Sequence, residues 1–144
     1  METLCVKFLG GAISEDTIIY SSCHIHDPRH LIMERGSEIG PKAEIYNIDY
    51  VILKENAIVS QYAYLCTASH NISDLTRPLI FSPIVLEKDS WVASKAIIAK
   101  GVIVGEGAIV AMGSVVVKNV EPWTIVGGNP AIYIKRRKLE QQVK

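Results

Sequence analysis

The stretch Pro83-Ile-Val-Leu-Glu-Lys-Asp-Ser-Trp-Val-Ala-Ser-Lys-Ala-Ile-Ile-Ala-Lys-Gly-Val-Ile-Val-Gly-Glu-Gly-Ala-Ile-Val-Ala-Met-Gly-Ser-Val-Val116 decides the fold. Every sixth residue from Leu86 is aliphatic: Leu86, Val92, Ile98, Val104, Val110 and Val116. The residues two places before the last five, Ser90, Ala96, Val102, Ala108 and Ser114, are small. With aliphatic residues at roughly a third of the chain, six successive hits in one frame arise by chance about once in a thousand, so a repeat takes precedence. A helix repeats every ~3.6 residues and a flat strand every ~2. A beat of six fits neither. It fits a coil whose short straight segments turn a corner at every sixth residue.

The beat extends upstream. It runs as Ile13, Ile19 and Ile25, with Thr17 and Cys23 at the small positions, then gains two residues within 26–31. It resumes as Met33, Ile39 and Ile45, with Ser37 and Ala43, and gains two more within 46–51. Leu53, Val59 and Leu65 follow, with Ala57, Ala63 and Ser69. Blocks of three beats predict about 18 residues per turn, three faces, and insertions at one corner of the coil. The aliphatic residue points into a triangular prism. Each segment pairs in parallel with its equivalent one turn away at about 4.8 Å, so about five coils stack to roughly 20–24 Å. A single coil cannot bury its own face, which makes the stack cooperative and quasi-one-dimensional.

The beat fails over 70–83, a segment with two prolines, Pro78 and Pro83, and no six-residue pattern. A long excursion from a regular solenoid reads as a functional loop. Residues 1–10 form a lead-in, a short helix or an edge segment. Residues 11–132 form the coil domain. Residues 133–144 form a tail with helix-forming composition, too short to be stable alone and expected to dock on the prism or a neighbour.

Composition narrows the function. A chain of 144 residues suits one domain, and a formal net charge of +0 argues against a nucleic-acid partner. Its longest apolar runs fall far short of the roughly 18–20 residues of a membrane span. The start Met1-Glu-Thr-Leu-Cys-Val-Lys-Phe-Leu has an early acid and no proper hydrophobic region, unlike a secretory signal. Cys5, Cys23 and Cys66 lack metal-type spacing and read as reduced thiols of a cytoplasmic protein. His24 and His26 flank the inward Ile25 and therefore point outward. With His30 they read as surface or subunit-contact residues, and no metal is expected.

The beat, the loop and a Gly-Asn-Pro-Ala ending at 128–131 resemble the hexapeptide-repeat acyltransferases. The segments Ile58-Val-Ser-Gln-Tyr-Ala-Tyr-Leu-Cys-Thr-Ala-Ser-His70, Pro83-Ile-Val-Leu-Glu-Lys-Asp-Ser-Trp-Val92 and Pro122-Trp-Thr-Ile-Val-Gly-Gly-Asn-Pro-Ala131 are similar to sugar O-acetyltransferases of the colanic-acid biosynthesis type. The resemblance covers roughly residues 8–137. It implies an all-β fold, a single-stranded left-handed parallel β-helix. Two departures stand out. The N-terminal helical extension usual in that branch is essentially missing. Lys54, Ser60, Glu87 and Ala93 follow the inward aliphatic where the family often carries Gly, so some corner strain is expected there.

The resemblance also implies a site. His70, at the Ser-His end of the Leu65 coil, would be the general base. A neutral imidazole takes a proton from an acceptor hydroxyl as that oxygen attacks a thioester. A carboxylate or carbonyl should orient the other ring nitrogen, and Asp74 is the near candidate. The implied acyl donor is acetyl-CoA, lying between subunits of a homotrimer. Its pantetheine arm would pair with main-chain groups at Ala93-Ser94 and Ala111-Met112, and Lys118, Lys135 and Arg136 would meet its phosphates. Asn47 is a candidate acceptor contact, with a turn asparagine as the alternative. The expected reaction is acetylation of a sugar hydroxyl. An amino sugar or small amine as acceptor, or a non-catalytic β-helix scaffold, are the competing functions.

Overall fold

The computed structural model describes residues 2–140, and they form a three-faced β-solenoid. The first face stacks Ala12–Ile13, Leu31–Met33, Val51–Leu53, Ile84–Leu86 and Ile103–Val104 in parallel. The second stacks Ile18–Ile19, Glu38–Ile39, Ile58–Val59, Trp91–Val92, Ile109–Val110 and Thr124–Gly128, and the third His24–Ile25, Glu44–Tyr46, Tyr64–Cys66, Ile97–Ile98 and Val115–Val116. The parallel register pairs the sixth-residue aliphatics turn by turn: Ile13 with Met33, Met33 with Leu53, Leu53 with Leu86, and Leu86 with Val104. The five expected coils are present. A sixth, incomplete turn follows through the Val104–Val120 bridge and Thr124–Gly128.

The core is the inward column of each face. Of the fifteen aliphatics in the frame, all are buried except Ile25, which is partly covered at the open end of the first coil. Leu31, Val51 and Ile84, two places before an aliphatic, are also fully buried, although that position is small elsewhere. Each follows the enlarged corner between the third and first faces, where extra residues relax the turn and leave room for bulk. Ser69 leaves the pattern. It lies exposed in a hairpin and not at a corner.

Corner strain falls two residues later than expected. Lys54, Ser60, Glu87 and Ala93 do not have positive φ. The left-handed residue comes just before the small one: Asp16, Asn56 and Asp89 at φ 57, Lys42 at 56, and Tyr62 and Lys95 at 60. Asp and Asn tolerate that region better than most side chains. The position after the aliphatic is restricted by space instead. A Cβ on Gly105 would stand 2.6 Å from the backbone nitrogen of Pro122.

Of the two ends, only the tail departs from expectation. The lead-in is a helix, Glu2–Phe8, whose Val6 closes one end of the prism. The tail is not helical over its described part. After the Gly128-Asn129-Pro130 reversal, Ala131–Arg136 is a strand antiparallel to Thr124–Gly128. Ile132, Tyr133 and Ile134 favour β-structure, and the last strand of the second face offers an open edge to pair with. Residues 141–144 of the tail lie outside the described residues.

Candidate active site

The loop is a β-hairpin at the third–first edge. Ala68–His70 pairs antiparallel with Leu79–Phe81, with Ser69 opposite Ile80 and His70 opposite Leu79. It emerges at the corner where the first two turns carry their two-residue insertions. Its base is tied down by Ser82, whose N–H donates to Thr67 O at 3.0 Å. The connecting turn is shaped by its own polar side chains. Asn71 Oδ1 accepts from the Ser73 N–H at 3.0 Å, and Asp74 Oδ1 accepts from the Thr76 N–H and hydroxyl at 2.8 Å each. Those two donors hold the Asp74 carboxyl below its usual range, the backbone N–H contributing most.

This turn orients His70. Arg77 adopts φ 48, which aims its carbonyl at the ring, and His70 Nδ1 lies 2.6 Å from Arg77 O. A carbonyl only accepts, so Nδ1 carries the proton and Nε2 of the neutral ring keeps its lone pair. Nε2 has no partner among the described residues, and the side chain is exposed. That arrangement leaves Nε2 able to accept a proton at an exposed edge. Asp74, the expected orienting group, is committed to Thr76 and does not contact His70. Nothing in the sequence singles out Arg77, because the group that matters is a main-chain carbonyl.

Asn47 is excluded as a surface contact. It is fully buried. Its Nδ2 donates to Asp27 O at 2.7 Å, and its Oδ1 accepts from the Asp27 N–H at 2.9 Å. The amide zips one widened corner to the next, and an acceptor would have to displace that pairing. Thr67 continues the ladder one turn on, its hydroxyl accepting from the Asp49 N–H at 3.0 Å.

Apart from Lys118, the expected cofactor residues lie away from the edge that carries His70. Ala93-Ser94 and Ala111-Met112 stack one above the other at the second–third edge, joined by the bond from Gly113 N–H to Ser94 O at 3.0 Å. The Ala93 and Ala111 N–H groups are spent on Val110 O and Val126 O. The Ser94 and Met112 N–H groups have no partner among the described residues, and Met112 is 71% exposed. Lys118 is exposed at the third–first edge, the edge that carries His70. Lys135 and Arg136 stand at the outer end of the last strand, opposite Ile125 and Thr124, beside an open groove of about 800 Å³ that Ile109, Tyr133 and Leu139 also line. Among the described residues, the hollows lined by Lys118 and by Lys135 with Arg136 do not include His70. The hollow next to the hairpin is lined by Cys66, Ser69, Ile97, Lys100 and Val117. Cys66 donates to Ala68 O at 3.1 Å and serves as a structural thiol.

The remaining histidines sit on the turns before the hairpin. The His26 ring lies 4.9 Å from that of Tyr46, and His30 lies 5.0 Å from Tyr50. His24 faces outward and is exposed, as its place beside Ile25 requires.

No family model matches the chain. A putative colanic acid biosynthesis acetyltransferase, WcaF of Escherichia coli, is 28% identical over 132 residues, covering 92% of this chain and 72% of the relative. The solved hexapeptide-repeat acetyltransferase VCA0836 of Vibrio cholerae superposes with a TM-score of 0.87 at 25% identity, over 94% of this chain and 78% of that one. It has also been solved in complex with acetyl coenzyme A. The N-acyltransferase AntD of Bacillus cereus, at 19% identity and a TM-score of 0.78 over 94% of this chain and 88% of that one, shares the fold. Repeat, solenoid and sequence comparison agree: the chain is similar to the hexapeptide-repeat acyltransferases, and among them to one of the colanic-acid biosynthesis type.

Proposed function

We propose that this acyltransferase moves the acetyl group of acetyl-CoA to a sugar hydroxyl of a polysaccharide or glycoconjugate precursor, with His70 as general base. The observation that carries the reading is the 2.6 Å bond from His70 Nδ1 to Arg77 O, which leaves Nε2 free at an exposed edge. In the reaction, Nε2 takes the hydroxyl proton as the oxygen attacks the thioester carbonyl. The tetrahedral intermediate collapses, the C–S bond breaks, and the imidazolium returns its proton to the departing thiolate. The products are the acetyl ester and free CoA. A backbone N–H is expected to hold the developing oxyanion.

The active site is completed by a second copy in a homotrimer. His70 lies on the third–first edge, while the free N–H groups of Ser94 and Met112 lie on the second–third edge. Those N–H groups suit the carbonyls of the pantetheine arm. Ala93 and Ala111 supply the low corner wall that lets the arm approach. Lys118, Lys135 and Arg136 meet the phosphates. The first–second edge is laced by Lys54–Glu34 and Lys88–Glu55 pairs, each at 3.0 Å, and faces solvent in this arrangement. Hairpin apolar residues such as Ile72 and Leu75, 92% and 96% exposed, gain cover from the neighbour. Asp74 keeps its second carboxylate oxygen for an acceptor hydroxyl. The reaction takes place in the cytoplasm, and among the described residues no helix is long and apolar enough to cross a membrane.

The test is thiol release from acetyl-CoA with a panel of sugars and amines, for the wild type and His70→Ala. The variant should lose about 10²–10⁴-fold in kcat, which is about 2.7–5.5 kcal/mol, with its melting temperature unchanged. Full activity in the variant would remove the mechanism. Turnover with amines only would replace the hydroxyl acceptor. A monomer in sedimentation would remove the shared site.

A further inference from the structure

The run Lys135-Arg136-Arg137-Lys138 reads as four equivalent cations in the sequence, and the fold separates one from the rest. Arg137 alone among residues 132–140 is partly buried. Its side chain turns back onto the first–second edge and reaches the corner residues of three successive turns, Asp89, Gly107 and Trp123. All three are left-handed, at φ 57, 64 and 57. Arg137 Nη1 donates to Asp89 O at 3.0 Å and to Gly107 O at 2.9 Å. Its own N–H donates to Trp123 O at 2.8 Å, and its guanidinium lies 5.8 Å from the centre of the Trp123 ring. One residue thus caps the whole upper column of corner carbonyls. It fastens the end of the last strand to the prism, while Lys135, Arg136 and Lys138 remain exposed beside the groove.

We infer that Arg137 is a positioning residue for the acyl donor: it holds the tail so that Lys135, Arg136 and Lys138 present a fixed set of charges to the 3′-phosphate of coenzyme A. This rests on the reading of the basic tail as a phosphate contact. Arg137 spends Nη1 and its N–H on main-chain carbonyls, so that, although it borders the same groove, its part is to hold the tail. A tail merely tethered through Ile132–Ile134 would carry the same net charge with its cations spread over many positions. Ordering them is what converts charge into affinity.

The experiment compares acetyl-CoA with acetyl-3′-dephospho-CoA for the wild type, Arg137→Ala and the double variant Lys135→Gln/Arg136→Gln, with hydrogen exchange of the 131–138 amides followed in parallel. Arg137→Ala should raise KM for acetyl-CoA on the order of 5–20-fold and leave kcat within about twofold. It should leave the dephospho substrate unaffected and speed exchange in the tail. A general structural defect would instead weaken both substrates alike and would overturn the proposal. If the double variant loses the preference for the 3′-phosphate while Arg137→Ala keeps it, or keeps a protected tail, the latch is refuted and the phosphate contact stands. If the double variant keeps the full preference, the phosphate reading falls and takes the latch with it.

Discussion

Replacing Asn47 separates a structural amide from an acceptor contact. The side chain has no exposure and makes two hydrogen bonds, at 2.7 and 2.9 Å, to the carbonyl and N–H of Asp27. Asn47→Ala removes both bonds and strands both main-chain groups beneath the next corner. Lost bonds at about 0.5–1.5 kcal/mol each, with a stranded buried group costing about 1–3 kcal/mol, put the effect at roughly 2–6 kcal/mol. At about 3 °C per kcal/mol for a chain of this size, the melting temperature should fall by roughly 6–18 °C. Asn47→Asp should do at least as much harm, because a carboxylate cannot donate to Asp27 O. Urea unfolding gives the stability, and thiol release on the folded fraction gives kcat and KM. The structure requires the stability loss, with acceptor KM within about threefold of wild type. Stability within about 0.5 kcal/mol of wild type, with a large rise in acceptor KM, would refute the buried pairing and restore the surface role.

Three further outcomes follow from the geometry. Arg77→Gly keeps the carbonyl and suits φ 48, so thiol release should persist; Arg77→Val resists that backbone by about 1–2 kcal/mol and should cut kcat on the order of tenfold. Unchanged turnover in the valine variant would mean that the carbonyl does not orient His70. Gly105→Ala drives a Cβ to within 2.6 Å of Pro122 N and should cost about 1–3 kcal/mol in denaturant titration, with an unperturbed melt excluding so close an approach of the last turn. The Arg29 side chain, aided by its N–H and charge, lowers the Asp27 carboxyl from 3.8 to about 2. A depressed folded-state value gives stability that is present above about 3.8 and lost as pH falls through about 2. Acid titration of Asp27→Asn should lack that slope, and an identical slope in the variant would assign it to other carboxylates.

The site was only partly legible. His70 stood out because it ends the Leu65 coil where the beat fails. Its orienting partner did not, since a main-chain carbonyl placed by the φ of Arg77 leaves no mark in residue type. Asp74 looked suitable by charge and proximity, yet a turn carboxylate serves the nearest N–H first, here that of Thr76. Asn47 misled for a related reason. A corner asparagine next to an insertion looks like a loop residue until the next turn is stacked on it. The tail looked helical by composition, and the unpaired edge of Thr124–Gly128 drew it into a strand. Tertiary context overrides local propensity wherever an open sheet edge is available.

The sequence by itself determined the prism. A beat of aliphatics at every sixth residue has one way to bury them all, which is to coil with three faces, and the inward column follows it from Ile13 to Val116. The place of the loop was also written there, since an insertion can leave a solenoid only at a corner. The tertiary structure alone decided which groups meet. Residues far apart in the chain become neighbours through stacking, so Asn47 met Asp27, Arg137 met Asp89, and His70 came to lie on a different edge from Ser94 and Met112. Those contacts depend on how many residues each corner holds and which way its carbonyls point, and a six-residue period carries no record of either.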